Sequence, residues 1–323
     1  MPLNYSNFKK NLENNFFYEK KIKIAVGVSG GPDSLALSIL LHQWIIKKKG
    51  TLIALIIDHR IRTESYFESL QTKRFLISKG IKSKILFINK EKVKDGKLSQ
   101  ARVNRFEKLL NYCQKNKIFH LFLGHHFNDN IETFLLRKIA GSNFEGLNCM
   151  QHVSIYKNIQ IIRPFLSFSK KEILNFNKRF NLIYVNDPSN YNVKYTRSVV
   201  RKYLYENKSM FNKIIKDFNL IRNHYLQYKK MIFQILHLVI LEIRLKKIVL
   251  DIKKLLKLEH ELQVKLLDIS IKFLNNNKLN VRYKKIEDIV KIIQNPINVS
   301  LKTQNILIKK NNANNIVILS MIK

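Results

Sequence analysis

Cysteine is nearly absent from this 323-residue chain: Cys113 and Cys149 are the only two, and no C-x-x-C pair occurs. Neither a zinc knuckle nor a cysteine-held iron–sulfur cluster can be built from this chain alone, which counts against sulfur-transfer chemistry. Acidic residues are scarce too. Against 59 Lys+Arg stand 23 Asp+Glu, for a net charge of +36. Such an excess attracts phosphate-rich partners, nucleic acid first, and disfavours a compact body that leaves it unpaired. An A+T-rich coding bias is the competing source of part of it, because Lys, Asn and Ile are all abundant. Long apolar runs are missing as well. The most apolar later stretch, Met231 to Leu245, is broken by Gln234, His237, Glu242 and Arg244, too short and too polar to span a bilayer. Lys9, Lys10, Glu13 and Glu19 stand where a secretory signal would need an apolar core. A soluble protein is expected, with no membrane partner and no internal repeat. Its length suits two domains with a sizeable core.

Against that background one short segment stands out. Ser29-Gly30-Gly31-Pro32-Asp33-Ser34 lies between the strand-like run Ile22–Val28 and the apolar-periodic stretch Leu35–Lys48. The first amides of a helix have no intrahelical partner and, with the positive end of the macrodipole, make an anion site. Gly30 and Gly31 let main chain approach a phosphate, Pro32 presets φ for the first helical turn, and Ser29 and Ser34 offer hydroxyls. Asp33 repels phosphate but suits a magnesium ion carried by one. The spacing matches neither the Walker A loop, whose lysine is absent, nor GxGxxG. Gly27-Val28-Ser29-Gly30-Gly31 does match the G-x-S-x-G nucleophile elbow, which also needs an oxyanion loop from an earlier strand, and about twenty residues precede it. A ligand-free strand-to-helix turn is the plain alternative.

Strand-like runs at Ile22–Val28, Leu52–Ile57, Ser83–Ile88 and His120–Gly124 alternate with helical patterns at Leu35–Lys48, Tyr66–Lys79, Leu98–Asn116 and Asn130–Ile139. That alternation predicts an α/β fold, a parallel doubly wound sheet with helices on both faces and ligands beyond the carboxyl ends of the strands. A short strand before Arg163-Pro164 and a helix from Ser169, where Ser169 to Glu172 resembles a capping box, follow. A turn is expected at 186–190. From Thr196 the chain reads as mainly helical and Lys-rich, closing on strand-like pieces Val299–Ile308 and Asn315–Leu319. The expected domains are residues 1–205, catalytic, and 206–323, mainly helical and basic.

Three further clusters carry potential chemistry. Asp58-His59-Arg60 ends the second strand. In Gly124-His125-His126-Phe127-Asn128-Asp129-Asn130-Ile131-Glu132, Asp129 and Glu132 share one helical face, either to hold a cationic substrate or as acids complementing a helix N-terminus. His125 and His126, adjacent on extended backbone, point apart and are better suited to hydrogen bonding than to one metal. Arg102 and Arg105 sit one turn apart near a helix start, where a phosphate partner or a solvated basic face accounts for them.

The SGGxDS loop resembles that of the N-type ATP pyrophosphatases, the PP-loop enzymes. The ordered set Ser29–Ser34, Asp58-His59-Arg60-Ile61-Arg62, Gln100-Ala101-Arg102, Gly124-His125-His126, Asp129, Glu132-Thr133, Arg163-Pro164 and Asp187-Pro188-Ser189-Asn190, with Arg197 and Arg201, resembles the bacterial tRNA(Ile)-lysidine synthetase family over roughly residues 20–205. Asn128-Asp129-Asn130 departs from the family's two adjacent acids followed by glutamine, and the tail resembles the family's first C-terminal domain only loosely. The resemblance implies an adenine nucleotide α-hydrolase-like fold and a ligase that adenylates the wobble cytidine of the CAU anticodon of tRNA(Ile) with ATP and Mg2+. L-lysine then attaches, releasing AMP and pyrophosphate. It also implies roles: Asp33, Arg102, Asp129 and Glu132 in catalysis, one of the two later acids holding lysine and one acting as base. Ser29, Gly30, Gly31, Pro32, Asp33, Ser34, Asp58, His59 and His125 would hold nucleotide, with Asp33 at the metal. Arg105, Arg163, Asn190, Arg197 and Arg201 would contact tRNA. The setting would be cytoplasm or an organelle matrix, a homodimer being compatible. The alternative within the superfamily is a tRNA 2-thiolation enzyme, which usually needs paired cysteines.

Overall fold

The structure is a computed structural model that describes residues 2–58, 64–88, 98–182, 184, 196–275 and 281–322. His59, Arg60 and the turn expected at 186–190, Asn190 included, lie outside the described residues. The chain divides into two compact units, Met1–Arg222 and Asn223–Lys323.

In the first unit, helix α1 (Tyr5–Asn15) precedes strand β1 (Lys23–Val28), and α2 (Pro32–Lys47), β2 (Thr51–Asp58), α3 (Glu64–Ser78), β3 (Lys82–Phe87), α4 (Leu98–Lys115) and β4 (His120–Phe122) follow in alternation. Then come α5 (Phe127–Ile139), the short α6 (Phe144–Leu147), β5 (Val153–Tyr156), β6 (Ile159–Ile162), a 3-10 turn Pro164–Ser167, α7 (Lys170–Arg179) and α8 (Thr196–Glu206). Strand order is β3-β2-β1-β4-β6-β5, parallel throughout except for β5.

Both faces of the sheet are covered, and the two-residue side-chain period sorts the core into layers. Ile24, Val26 and Val28 with Leu52, Ala54 and Ile56 pack against α1, α2 and α7. Ala25, Leu55 and Ile57 face the opposite layer, where Leu109, Leu110 and Cys113 of α4 close over them. The doubly wound parallel sheet expected from the sequence is therefore present. Helix α2 is buried nearly all round, which suits its almost uninterrupted apolar sequence.

Two elements here were invisible to periodicity. α1 carries few apolar residues, but Asn4 caps it and Phe8 and Leu12 are fully buried, Phe8 edge-on to Phe165 at 6.0 Å. β5 pairs with β6 through the two-residue turn Lys157-Asn158, both at positive φ (48° and 63°), the geometry of a type I′ hairpin.

Helix α9 (Lys208–Val239) runs through the boundary between units. The second unit holds β7 (Ile240–Arg244), β8 (Lys247–Asp251), α10 (Ile252–Leu256), α11 (His260–Leu274), α12 (Tyr283–Gln294), β9 (Val299–Thr303), β10 (Ile306–Asn311) and β11 (Ile316–Met321). It is helix-rich as expected, yet it also contains a five-stranded antiparallel sheet, β7-β8-β11-β10-β9. The single strand expected at Val299–Ile308 is two strands, because Gln304 at φ 52° turns the chain back. On α12, Ile286, Ile289, Val290 and Ile293 form the buried stripe facing this unit's core.

Trp44 anchors α1 to α2: it is fully buried, packs against Phe16 and Tyr18, and its indole N–H donates to Glu13 at 3.1 Å. Trp44→Ala is expected to cost about 3 kcal/mol or more, read from urea unfolding followed by far-UV circular dichroism.

Candidate active site

Strand order reverses direction at β1, which has β2 on one side and β4 on the other. The crevice beyond the carboxyl ends of these strands is where an open parallel sheet receives ligands. Two connections meet there, the Ser29–Gly31 loop after β1 and Gly124-His125-His126 after β4. Their approach is close: a Cβ on Gly124 would stand 3.2 Å from both the Asp33 carbonyl carbon and the Ser34 amide nitrogen. A side chain at 124 would push against backbone of the first turn of α2.

The loop shapes itself through Ser34. Gly30 takes φ 79°, a left-handed conformation that glycine tolerates, and Gly31 is extended as N-cap before Pro32 opens the helix. The Ser34 hydroxyl donates to the Gly31 carbonyl at 3.1 Å and accepts from the Ser29 amide at 3.2 Å. Ser34 is buried and Ser29 exposed. Ser34, expected from the sequence as a phosphate donor, thus spends its proton on holding the cradle, and Ser29 is the hydroxyl left at the surface. No strand precedes β1 among the described residues, so the nucleophile-elbow reading lacks its oxyanion loop.

Asp33 does not stand alone. The Lys170 ammonium, on the first turn of α7, donates to its two carboxylate oxygens at 2.6 and 2.7 Å. α7 is fastened on both sides: the Asn177 amide donates to the Pro32 carbonyl at 3.0 Å, and the Lys170 backbone amide donates to Asn128 Oδ1 at 2.9 Å. The capping box expected at Ser169 and Glu172 is formed and starts the helix at this point. Lys170 was not among the residues singled out from the sequence; its only signal was a lysine directly after a capping serine, where a helix dipole disfavours a cation.

Beyond β4, His126 caps α5. Its backbone amide donates to Asp129 Oδ2 at 3.0 Å, and its Nδ1 accepts from the Asp129 amide at 3.3 Å. Part of what Asp129 does is therefore to start a helix. Asp129 and Glu132 do share a face, as their spacing requires, and α8 supplies what they face. Arg197 Nε donates to Glu132 at 2.9 Å, and Arg201 donates through Nε at 2.8 Å and through a terminal nitrogen at 3.1 Å. Arg197 also reaches the Asp129 carbonyl at 3.1 Å. Glu132 is almost wholly buried, so its charge is met inside the protein by two guanidinium groups. Apolar contact closes the same joint, with Ile131 and Phe134 packed on Val200, Leu204, Ile214 and Phe218.

Electrostatics bind these groups together. Burial opposes ionisation of Asp129, but the positive field of His126, His125 and Arg197 outweighs it and holds the carboxyl below its usual value. Hydrogen bonding to Glu132 raises Arg201, with further contributions from Asp129 and Asp33, so the loop acid and the α5 acids lie in one another's field. Burial depresses His125 to about 4, aided by Arg163, Arg105 and Arg197 against the pull of Asp129, and it is neutral at physiological pH. Its Nδ1 is buried without a hydrogen-bond partner among the described residues. Asp58 is buried at the end of β2 and accepts from the Ser65 hydroxyl at 2.9 Å.

Of the arginines expected to contact RNA, Arg163 donates inward to Ser154 at 2.9 Å and to the Gln151 carbonyl at 3.3 Å, and burial lowers it to about 10, still charged at neutral pH. Arg197 and Arg201 are committed to Glu132. Arg105 lies on α4, half-buried. Arg102 is also on α4, with its side chain outside the described residues, as are His59 and Asn190 altogether. Among the described residues no group of three or more His, Cys, Asp or Glu is placed to hold a metal ion, and no helix is long and apolar enough to cross a membrane.

Two outcomes follow from this geometry. Glu132→Ala removes the buried partner of Arg197 and Arg201, which are 23% and 44% exposed and can turn to solvent, so it is expected to destabilise the first unit by only about 1 kcal/mol, measured as a lowered urea midpoint. His125 and His152, both held near 4 by burial, bind protons more readily unfolded than folded. Their contribution is complete above about pH 6.5 and is lost as pH falls through 4. Thermal stability should therefore decline over that interval, and the H125Q/H152Q double variant should flatten the decline.

A family model of the PP-loop domain matches residues 4–208. Among curated proteins, the tRNA(Ile)-lysidine synthase of Orientia tsutsugamushi (strain Boryong) is 35% identical over 198 residues, 61% of this chain and 45% of that protein. The enzyme of the same name from Wolbachia sp. subsp. Brugia malayi (strain TRS) is 39% identical over 184 residues, 56% of this chain and 43% of that protein. The matched part thus spans less than half the length of these relatives. Among solved structures, the U34-tRNA thiolase NcsA from Methanococcus maripaludis with its 4Fe-4S cluster superposes with a TM-score of 0.56 at 21% identity, covering 68% of this chain and 78% of that one, a likeness of fold alone. Matched by that model over more than half of its residues, the chain belongs to the PP-loop domain family.

Proposed function

We propose that this chain is a tRNA-modifying ligase of the lysidine-forming kind, using ATP to adenylate the wobble cytidine of the CAU anticodon of tRNA(Ile) and then attaching L-lysine. The observation that carries the reading is the meeting of the anion cradle at the start of α2 with the acid–arginine cluster of α5 and α8 at one switch point. The similarity to curated tRNA(Ile)-lysidine synthases supports it, and so does the charge of +36. The reading places the reaction where tRNA is found, in cytoplasm or an organelle matrix.

In the first step the cytosine carbonyl oxygen attacks the α-phosphorus and pyrophosphate leaves with the bonding electron pair. The protein's part is positioning and charge compensation. The amides of the first turn of α2 and the Ser29 hydroxyl hold the leaving group, and Asp58, at the neighbouring strand end, is placed for the nucleoside. Asp33 would hold a magnesium ion brought in with the nucleotide, and that ion would supply neutralisation of the phosphate charge. In the second step the lysine ε-amine displaces AMP. Glu132 is saturated by Arg197 and Arg201, so its role is to hold those guanidinium groups in place. Asp129, whose Oδ1 stands at 3.5 Å from Arg197, is the carboxylate open to a lysine ammonium or to the proton its amine must lose. The neutral His125 offers hydrogen bonding without adding charge. Exposed lysines and arginines bring the polyanionic substrate in.

A thiolation reading asks more of the cysteines than they offer. Cys113 is fully buried in the core and pushed up to about 12 by burial, so no reactive thiolate forms there.

Radiolabelled lysine should enter an isoleucine tRNA transcript with a CAU anticodon only when ATP is present. Asp33→Ala should abolish pyrophosphate release and leave tRNA binding in a filter assay nearly intact. Pyrophosphate release on adding tRNA, with no label transferred, would redirect the reading to another nucleophile.

A further inference from the structure

Lys170 stands at the loop, bonded to both carboxylate oxygens of Asp33, and the proposed reaction has not used it. It occupies the first position of α7, where the helix dipole works against a positive charge, and the helix already carries Lys178 and Arg179 at its favourable end. Its side chain and that of Asp33 are 36% and 26% exposed, so their ion pair adds little to folding. The backbone beneath it is nonetheless held firmly, by Asn128 on one side and through Asn177 and Pro32 on the other. A weakly stabilising contact on a rigid mount points to a ligand. The charge pattern says which: a bare carboxylate in an amide cradle would repel phosphate, and an ammonium bonded to both of its oxygens cancels that repulsion.

We propose that Lys170 is a further catalytic residue of this site, its ammonium standing on Asp33 in the free protein and contacting the β,γ-phosphates of a nucleoside triphosphate when one is bound. The inference rests on the adenylation reading for its substrate class. As the bond from the α-phosphorus to the bridging oxygen breaks, the electron pair goes to the pyrophosphate oxygen. Lys170 keeps its proton and hydrogen-bonds the charge that develops there. Asp33 orients the ammonium, and the loop amides complete the cradle.

Isothermal titration of the full chain with inorganic pyrophosphate, in EDTA, tests this without any turnover. Lys170→Met should weaken binding by about tenfold or more, the loss of one charge-assisted hydrogen bond. Lys170→Arg should stay within roughly threefold of wild type, since a guanidinium keeps the charge and the donors. The melting temperature of Lys170→Met should match wild type. Wild-type affinity in Lys170→Met overturns the proposal. So does a loss in Lys170→Met that comes with a lowered melting temperature and is not rescued by arginine, which would make the lysine structural. The two readings fail separately. If lysine labelling of tRNA fails while the pyrophosphate series holds, only the substrate assignment falls. If labelling succeeds and Lys170→Met labels as fast as wild type, only the role of Lys170 falls.

Discussion

The approach of Gly124 to the first turn of α2 is the constraint on which the site depends. Two parallel strands, β1 and β4, end side by side, and a Cβ at 124 would press to 3.2 Å on the Asp33 and Ser34 backbone, so glycine lets the chain leaving β4 pass without displacing it. Everything chemical is then brought within a few residues of that contact: the loop amides on one side, the histidine-capped start of α5 on the other, and α7 laid across both. The sheet itself is generic to many chemistries. The particular crossing at Gly124 sets the first-turn amides of α2 beside the acid-bearing start of α5.

Charge is organised in two ways at that crossing. The carboxylates of Asp33, Asp129 and Glu132 are each met by cations from elements that lie later in the chain, Lys170 of α7 and Arg197 and Arg201 of α8. Pairing acids with bases supplied from elsewhere couples the docking of α7 and α8 to the completeness of the site. The Glu132 fork adds a directional contact to the apolar packing of α8 on α5, because guanidinium and carboxylate match in geometry as well as in sign.

How far the sequence was legible varied with the kind of signal. Strand-helix alternation is local and located the sheet and the turn from β1 into α2, since a two-residue or 3.6-residue period survives whatever packs on it. The capping box at Ser169 was equally local and equally readable. What sequence could not supply was pairing across distance. Arg197 and Arg201, expected as tRNA contacts, also bond Glu132, a pairing that cannot be read from an arginine's own neighbours in sequence. Lys170 was overlooked for the same reason. In the second unit, Ile248-Val249-Leu250 sits in a Lys-rich stretch whose helical character is strong on both sides, so the strand it forms shows only once β11 is paired to it.

The burial of the Glu132 fork has a consequence for ionic strength. Screening acts on charges that face solvent, over about 8 Å at physiological salt and about 3 Å at 1 M, and reaches enclosed pairs far less. Most of the chain's surplus positive charge is of the first kind, the 44% exposed Arg201 included, whereas the Glu132 carboxylate and the apolar contacts of Ile131 and Phe134 with α8 are of the second. Salt that lifts a polyanion from the surface therefore leaves the joint between α5 and α8 closed, and the attraction that gathers a partner can be dialled down while the architecture that would act on it stays assembled.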